Sequence, residues 1–109
     1  MDYEINTILR EDRTTIYSVK YKGLEAQGLA SLFPDSDKSM LAIHCRHGML
    51  LCRLFDAAVA TQLNISAATF SAPELKDLLE NKPLALSDAA VAMGATTEMT
   101  GLELFALFS

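Results

Sequence analysis

The chain has 109 residues, of which 50% are hydrophobic and 21% charged; this is enough sequence for one domain with a core, and too apolar for a disordered chain. No run of about 18 apolar residues is present and the N-terminus opens on the acidic Met1-Asp2-Tyr3-Glu4, so neither a membrane span nor a secretory signal is expected. The net charge of −5 lies wholly in residues 54–109, where seven acids face only Lys76 and Lys82; nucleic acid and anionic lipid, which need clustered Lys and Arg, are disfavoured as partners.

In chain order, residues 1–14 carry a short apolar alternation (Tyr3, Ile5, Ile8-Leu9) before the charged run Arg10–Arg13, and read as an edge strand or a loose arm. From residue 15 to 109 the chain reads as a single domain. Residues 15–22 alternate Tyr17, Val19 and Tyr21 with polar residues, the pattern of a half-buried strand. Gly23 marks a turn, residues 26–33 a second strand, and Pro34-Asp35-Ser36-Asp37 a turn cluster. Two apolar runs, Ser39–Cys45 and Met49–Leu54, flank Arg46-His47-Gly48 and predict a hairpin. Phe55, Ala58, Val59, Gln62 and Leu63 recur at helical spacing, with Asn64 as a left-handed end. Residues 65–70 read as a short strand. Ser71 and Glu74 read as a capping box opening a helix over Leu75, Leu78 and Leu79; Ser87 or Asp88 caps a helix that Gly94 ends; and Thr100 with Glu103 forms a second capping box before a C-terminal helix that is apolar nearly all round. Strands first and helices later, with one strand between them, predict an α+β fold: a mostly antiparallel sheet with three to four helices packed on one face.

The residues able to carry chemistry cluster at the hairpin. His44, Cys45, His47 and Cys52 are zinc-ligand types, but their spacing matches no paired ligand motif, and no metal is expected. With His47-Gly48 as a two-residue turn, Cys45 faces Leu50 and Ile43 faces Cys52. Both thiols then share one face as diagonal neighbours about 7 Å apart, too far for an unstrained disulfide, while His44, Arg46 and Arg53 point out of the other. A three-residue turn slips the register by one and pairs His44 with Cys52 as imidazole and thiolate. Cys45 and Cys52 therefore read first as small core residues of a protein in a reducing cytosol. Cys52, His47 and Asp56 remain the candidates for catalysis, His47 as a hairpin-tip base and Asp56 as a helix-start carboxylate. Arg46 and Arg53 form a candidate anion patch, and the amides at Thr100-Gly101 a candidate anion-binding helix start. Glu98 reads as a solvated loop acid. No G-x-G-x-x-G or G-x-x-x-x-G-K-[ST] is present, and no cofactor is expected.

Gly23, Pro34 eleven residues later, His47-Gly48, Cys52, the segment ALSDAAVAMG at 85–94, and Met99-Thr100-Gly101 followed by Glu103 are spaced as in the YunC-like family of small uncharacterised bacterial and archaeal proteins, which the chain resembles over roughly residues 15–109. Arg53 stands where that family commonly has a small residue, the segment after Pro34 is slightly longer, and Thr100 replaces Ser with the same cap chemistry. The resemblance implies an α+β domain that forms a tetramer through its N-terminal sheet, and no established reaction.

Composition points independently to self-association, because a chain this short and this apolar leaves nonpolar side chains outside. The expectation is a cytoplasmic homo-oligomer acting as a small-molecule-binding or structural module. The alternatives are a small enzyme with its site near residues 44–56 at a subunit junction, or a regulatory subunit that binds a partner through its acidic helical half.

Overall fold

The structure, a computed structural model, describes residues 2–109; Met1, at the start of the expected arm, lies outside the described residues. Seven strands form one sheet whose spatial order follows the chain: β1 (Tyr3–Glu11), β2 (Thr14–Tyr21), β3 (Leu24–Leu32), β4 (Ser39–His44), β5 (Met49–Cys52), β6 (Ala67–Phe70) and β7 (Ala85–Leu86). All neighbours are antiparallel except β5 and β6. That parallel pair needs a crossover, which α1 (Ala57–Gln62) supplies. After β6 come α2 (Asp77–Glu80), α3 (Asp88–Ala92) and α4 (Gly101–Phe108). The α+β class with a mostly antiparallel sheet is as the sequence indicates.

The main core lies on one face of the sheet. Val19, Ile43, Leu50 and Phe70 from the strands pack against Leu78 and Leu79 of α2 and Leu104, Phe105 and Phe108 of α4, all fully buried. The all-round apolar C-terminal segment is thus a core helix, held at its start by the expected box: Thr100 accepts from the Glu103 amide, and the Glu103 carboxylate accepts from the Thr100 amide. The structure adds a smaller cluster on the opposite face, where Ala60 of α1 meets Ala42, Leu51 and Ala67. Successive crossings therefore leave the sheet on different sides: the chain leaving β5 turns to one face, the chain leaving β6 to the other.

Several local signals act as read. Asn64 has φ 58° at the end of α1, and the Ser87 hydroxyl caps α3 by accepting from the Ala90 amide. The same buried hydroxyl donates to the Ile65 carbonyl at 2.7 Å and accepts from the Ala67 amide at 2.9 Å, so it ties α3 to the start of β6. The box expected at Ser71 and Glu74 does not form. Helix α2 begins later, without a side-chain cap; the Glu74 amide instead donates to the Asp77 carboxylate, and the Ser71 carbonyl accepts from the Asn81 side chain. Residues 3–11 are an edge strand, bulged between Thr7 and Leu9. Tyr3 closes that strand onto α2 by donating its phenol proton to Glu80.

The hairpin register differs from the expected one by two residues. Ile43 faces Leu50 and His44 faces Met49, and the Cys45 amide donates to the Gly48 carbonyl, so the tip is Arg46-His47. A slip of two preserves facing: Cys45 and Cys52 still share the main-core face, with Ile43 and Leu50. It changes separation. Cys45 sits across from Gly48, four residues before Cys52, so the thiols are on the order of 13 Å apart rather than diagonal neighbours. Both cysteines are free and buried.

Candidate functional site

A cleft of about 740 Å³ opens at the carboxyl ends of β5 and β6. Cys52 and Phe70 end the two parallel strands side by side. Beyond them the chain parts: Arg53 and Leu54 lead toward α1 on one face, and Ser71-Ala72-Pro73 lead toward α2 on the other. Two adjacent strands whose following segments diverge to opposite faces must leave a crevice between those segments. The 33–38 segment before β4 and that strand's first residue supply its third wall with Phe33, Asp37, Lys38 and Ser39. That segment is held by the Phe33 amide donating to the Lys38 carbonyl at 2.9 Å, and by the Arg13 guanidinium donating to the Phe33 carbonyl at 3.1 Å.

The walls are mixed in character. Phe33, Leu54, Ala72 and Pro73 are apolar; Ser39 and Ser71 offer hydroxyls; Lys38 and Arg53 bring two cations against the carboxylate of Asp37. Cys52 lies at the base, 7% exposed, its sulfur accepting from the Leu41 amide at 3.5 Å. Such a surface can enclose an apolar body and hold one charged head, the usual design of small-molecule sites.

The candidate residues separate. Cys52 and Arg53 line the cleft. His44 faces Met49, three residues before Cys52 and on the other face of the sheet, so the thiol–imidazole pair is not assembled. His47 and Arg46 sit at the opposite end of β5, on the order of 15 Å away at the rise of a strand, so the two-arginine patch is not assembled within one chain either. At that end the His47 amide donates to the Phe108 carbonyl at 2.6 Å, and a Cβ at Gly48 would overlap the Phe108 ring; this turn is the seat of the C-terminal helix. Asp56 is the N-cap of α1, accepting from the Ala58 amide at 2.9 Å, and its carboxylate does not line the cleft. Thr100 is taken up by its capping box. The Gly101 amide donates to the Asn81 carbonyl at 2.9 Å, and a Cβ at Gly101 would overlap the Leu78 carbonyl, so that helix start has no room for an anion. Glu98 pairs with Lys82 at 3.3 Å on the surface. Among the described residues no three His, Cys, Asp or Glu side chains gather as metal ligands.

Lys38, Phe33 and the Ser71–Pro73 wall were not among the sequence candidates. In sequence these stretches read as punctuation between elements: Phe33 ends a strand, Pro34–Asp37 is a turn and Ser71 a helix cap. The signal that leads to them is the strand–helix–strand run from Met49 to Phe70, whose middle helix forces a parallel pair and a crevice at its carboxyl ends.

No protein-family model and no curated protein matches the chain. A solved structure with a similar fold is the crystal structure of TA1206, a protein of unknown function from Thermoplasma acidophilum; the two are 16% identical and superpose with a TM-score of 0.81 over 94% of this chain and 99% of that one. At that identity the likeness shows a shared α+β fold. Among the described residues no helix is long and apolar enough to cross a membrane.

Proposed function

We propose that the protein is a homo-oligomeric small-molecule-binding module of the cytoplasm, with the cleft beyond β5 and β6 as its site. The observation that carries this reading is the position of a roomy, mixed-character cleft where the sheet's connections part to opposite faces. A thermal-shift screen of polar metabolites tests it. A ligand at a hundredfold excess over its dissociation constant adds about 2.7 kcal/mol of stability, a rise of roughly 10 °C for a chain this size. The rise should vanish when Ala72→Trp fills the cleft. A library that leaves the melting temperature unmoved removes the reading.

Self-assembly is supported by a second observation. Leu9, Ile16, Leu29, Ala42 and Leu51 are successive cross-strand partners and form an apolar row on the sheet face opposite the main core. Helix α1 covers the Ala42–Leu51 end; at the other end Leu9 is 50% exposed and the bulge residue Ile8 61%. A row of this kind is a natural contact with a second copy. The proposal extends to a distant place in the YunC-like family, supported by the ordered series from Gly23 to Glu103.

A second reading, a small thiol enzyme, is favoured by Cys52 at the base of the cleft. It requires Cys52 to react with iodoacetamide faster than an ordinary thiol at pH 7 in the native protein. A sluggish Cys52 that becomes reactive only on unfolding eliminates it.

A further inference from the structure

We propose that the cleft takes a small organic anion with an apolar body, its carboxylate or phosphate head held between Arg53 and Lys38. This rests on the binding-site reading above and adds the chemical class of the ligand. The two cations reach the cleft from separate segments, Arg53 from the end of β5 and Lys38 from the segment before β4, so they can grip a head group from two sides. Among the described residues the ion pairs are Lys76 with Glu74 and Lys82 with Glu98; neither Lys38 nor Arg53 belongs to one. One carboxylate on the walls, Asp37, opposes the two positive charges and leaves the cleft net cationic in a chain whose overall charge is −5. A guanidinium fork and a mobile ammonium together suit a carboxylate or phosphate head, the fork by paired hydrogen bonds and the ammonium as a point charge. Phe33, Leu54 and Pro73 give the remainder of the ligand an apolar bed. The acidic second half of the chain repels long polyanions, so the anion must be small enough to lie within the cleft.

The full chain is titrated with 8-anilinonaphthalene-1-sulfonate, an anion with an apolar body, and with the neutral N-phenyl-1-naphthylamine. The double variant Lys38→Gln/Arg53→Gln should weaken the anionic probe at least tenfold and change the neutral probe less than twofold. Displacement of the anionic probe by phenylacetate alone assigns a carboxylate head, and by phenyl phosphate alone a phosphate head; displacement by both leaves the anion class intact. Displacement by neither overturns the proposal, as does a double variant that binds the anionic probe undiminished or loses both probes equally. Ala72→Trp separates this failure from failure of the site itself. If filling the cleft abolishes neutral-probe binding while the charge variants do nothing, the site stands and the anion class falls. If filling the cleft affects neither probe, both readings fall. Should Ala72→Trp not fold, Ser71→Tyr, from an exposed position on the same wall, carries the same comparison.

Discussion

Cys45 is 3% exposed, and burial pushes its thiol up to about 12 from an ordinary 9.0. The folded state therefore favours the protonated thiol. The stability this preference contributes is whole below pH 9 and is lost as the pH climbs from 9 through 12, at up to about 1.4 kcal/mol per pH unit. Urea midpoints between pH 8 and 11 should fall more steeply for the native chain than for Cys45→Ala; parallel curves would contradict the assignment. Gly48 makes a sharper demand. A methyl there has to displace the Phe108 ring, so Gly48→Ala is expected to cost about 1–3 kcal/mol, read as a lower denaturant midpoint. Ser87→Ala, which strips one hydroxyl from two buried amides and from the part-buried Ile65 carbonyl, should cost a similar amount. The sequence made Ser87 visible as a cap because its signature is local. The demand on Gly48 was invisible there, because it is set by a ring sixty residues later in the chain; the glycine read only as a turn residue.

Elements whose cause is local were legible: β2 from its alternation, α1 from its period and Asn64, α4 from its capping box. The errors fall where a choice depends on distant contacts. Two apolar runs around Arg46-His47-Gly48 specify a hairpin but allow neighbouring registers, and the observed one is fixed by Phe108 seating on the turn. The start of α2 followed tertiary packing over Ser71 and Glu74. Strand β1 gave only a weak alternation because its bulge breaks the period at Ile8, and its anchor, Glu80, lies far along the chain. That anchor has a measurable signature. Partial burial, then the hydrogen bond and charge of Glu80, raise the Tyr3 phenol to about 12. Its neutral form is the folded one, so the strand's attachment holds below pH 10 and weakens as pH rises from 10 through 12. An absorbance titration at 295 nm should show a phenol step near pH 12 that is absent from Tyr3→Phe; an unchanged titration in that variant would remove the anchor.

At the scale of the whole molecule, composition announced surplus apolar surface; among the described residues the structure leaves part of it at the Leu9 end of the sheet row and part on the helical half, at Leu54, Leu63, Leu84 and Val91. If the sheet row joins copies, Leu9→Lys with Ile16→Lys should convert the particle measured by light scattering to a monomer of about 12 kDa while leaving the far-ultraviolet dichroism unchanged. A native chain that is already monomeric at micromolar concentration would withdraw the assembly. The cleft was only partly legible. Cys52 and Arg53 were among the candidates, but as members of a hairpin group; their real companion, Lys38, comes from a segment that only the sheet topology brings near. The sheet is also laid down in the order of synthesis, and this bears on how the chain reaches its shape. Hairpins between consecutive strands close short loops at small entropic cost, so β2–β4 are expected to zip early. Phe108 must find Gly48 across some sixty residues, so its closure comes late. Substitutions such as Val19→Ala should then slow refolding, whereas Phe108→Leu should chiefly hasten unwinding of the finished molecule.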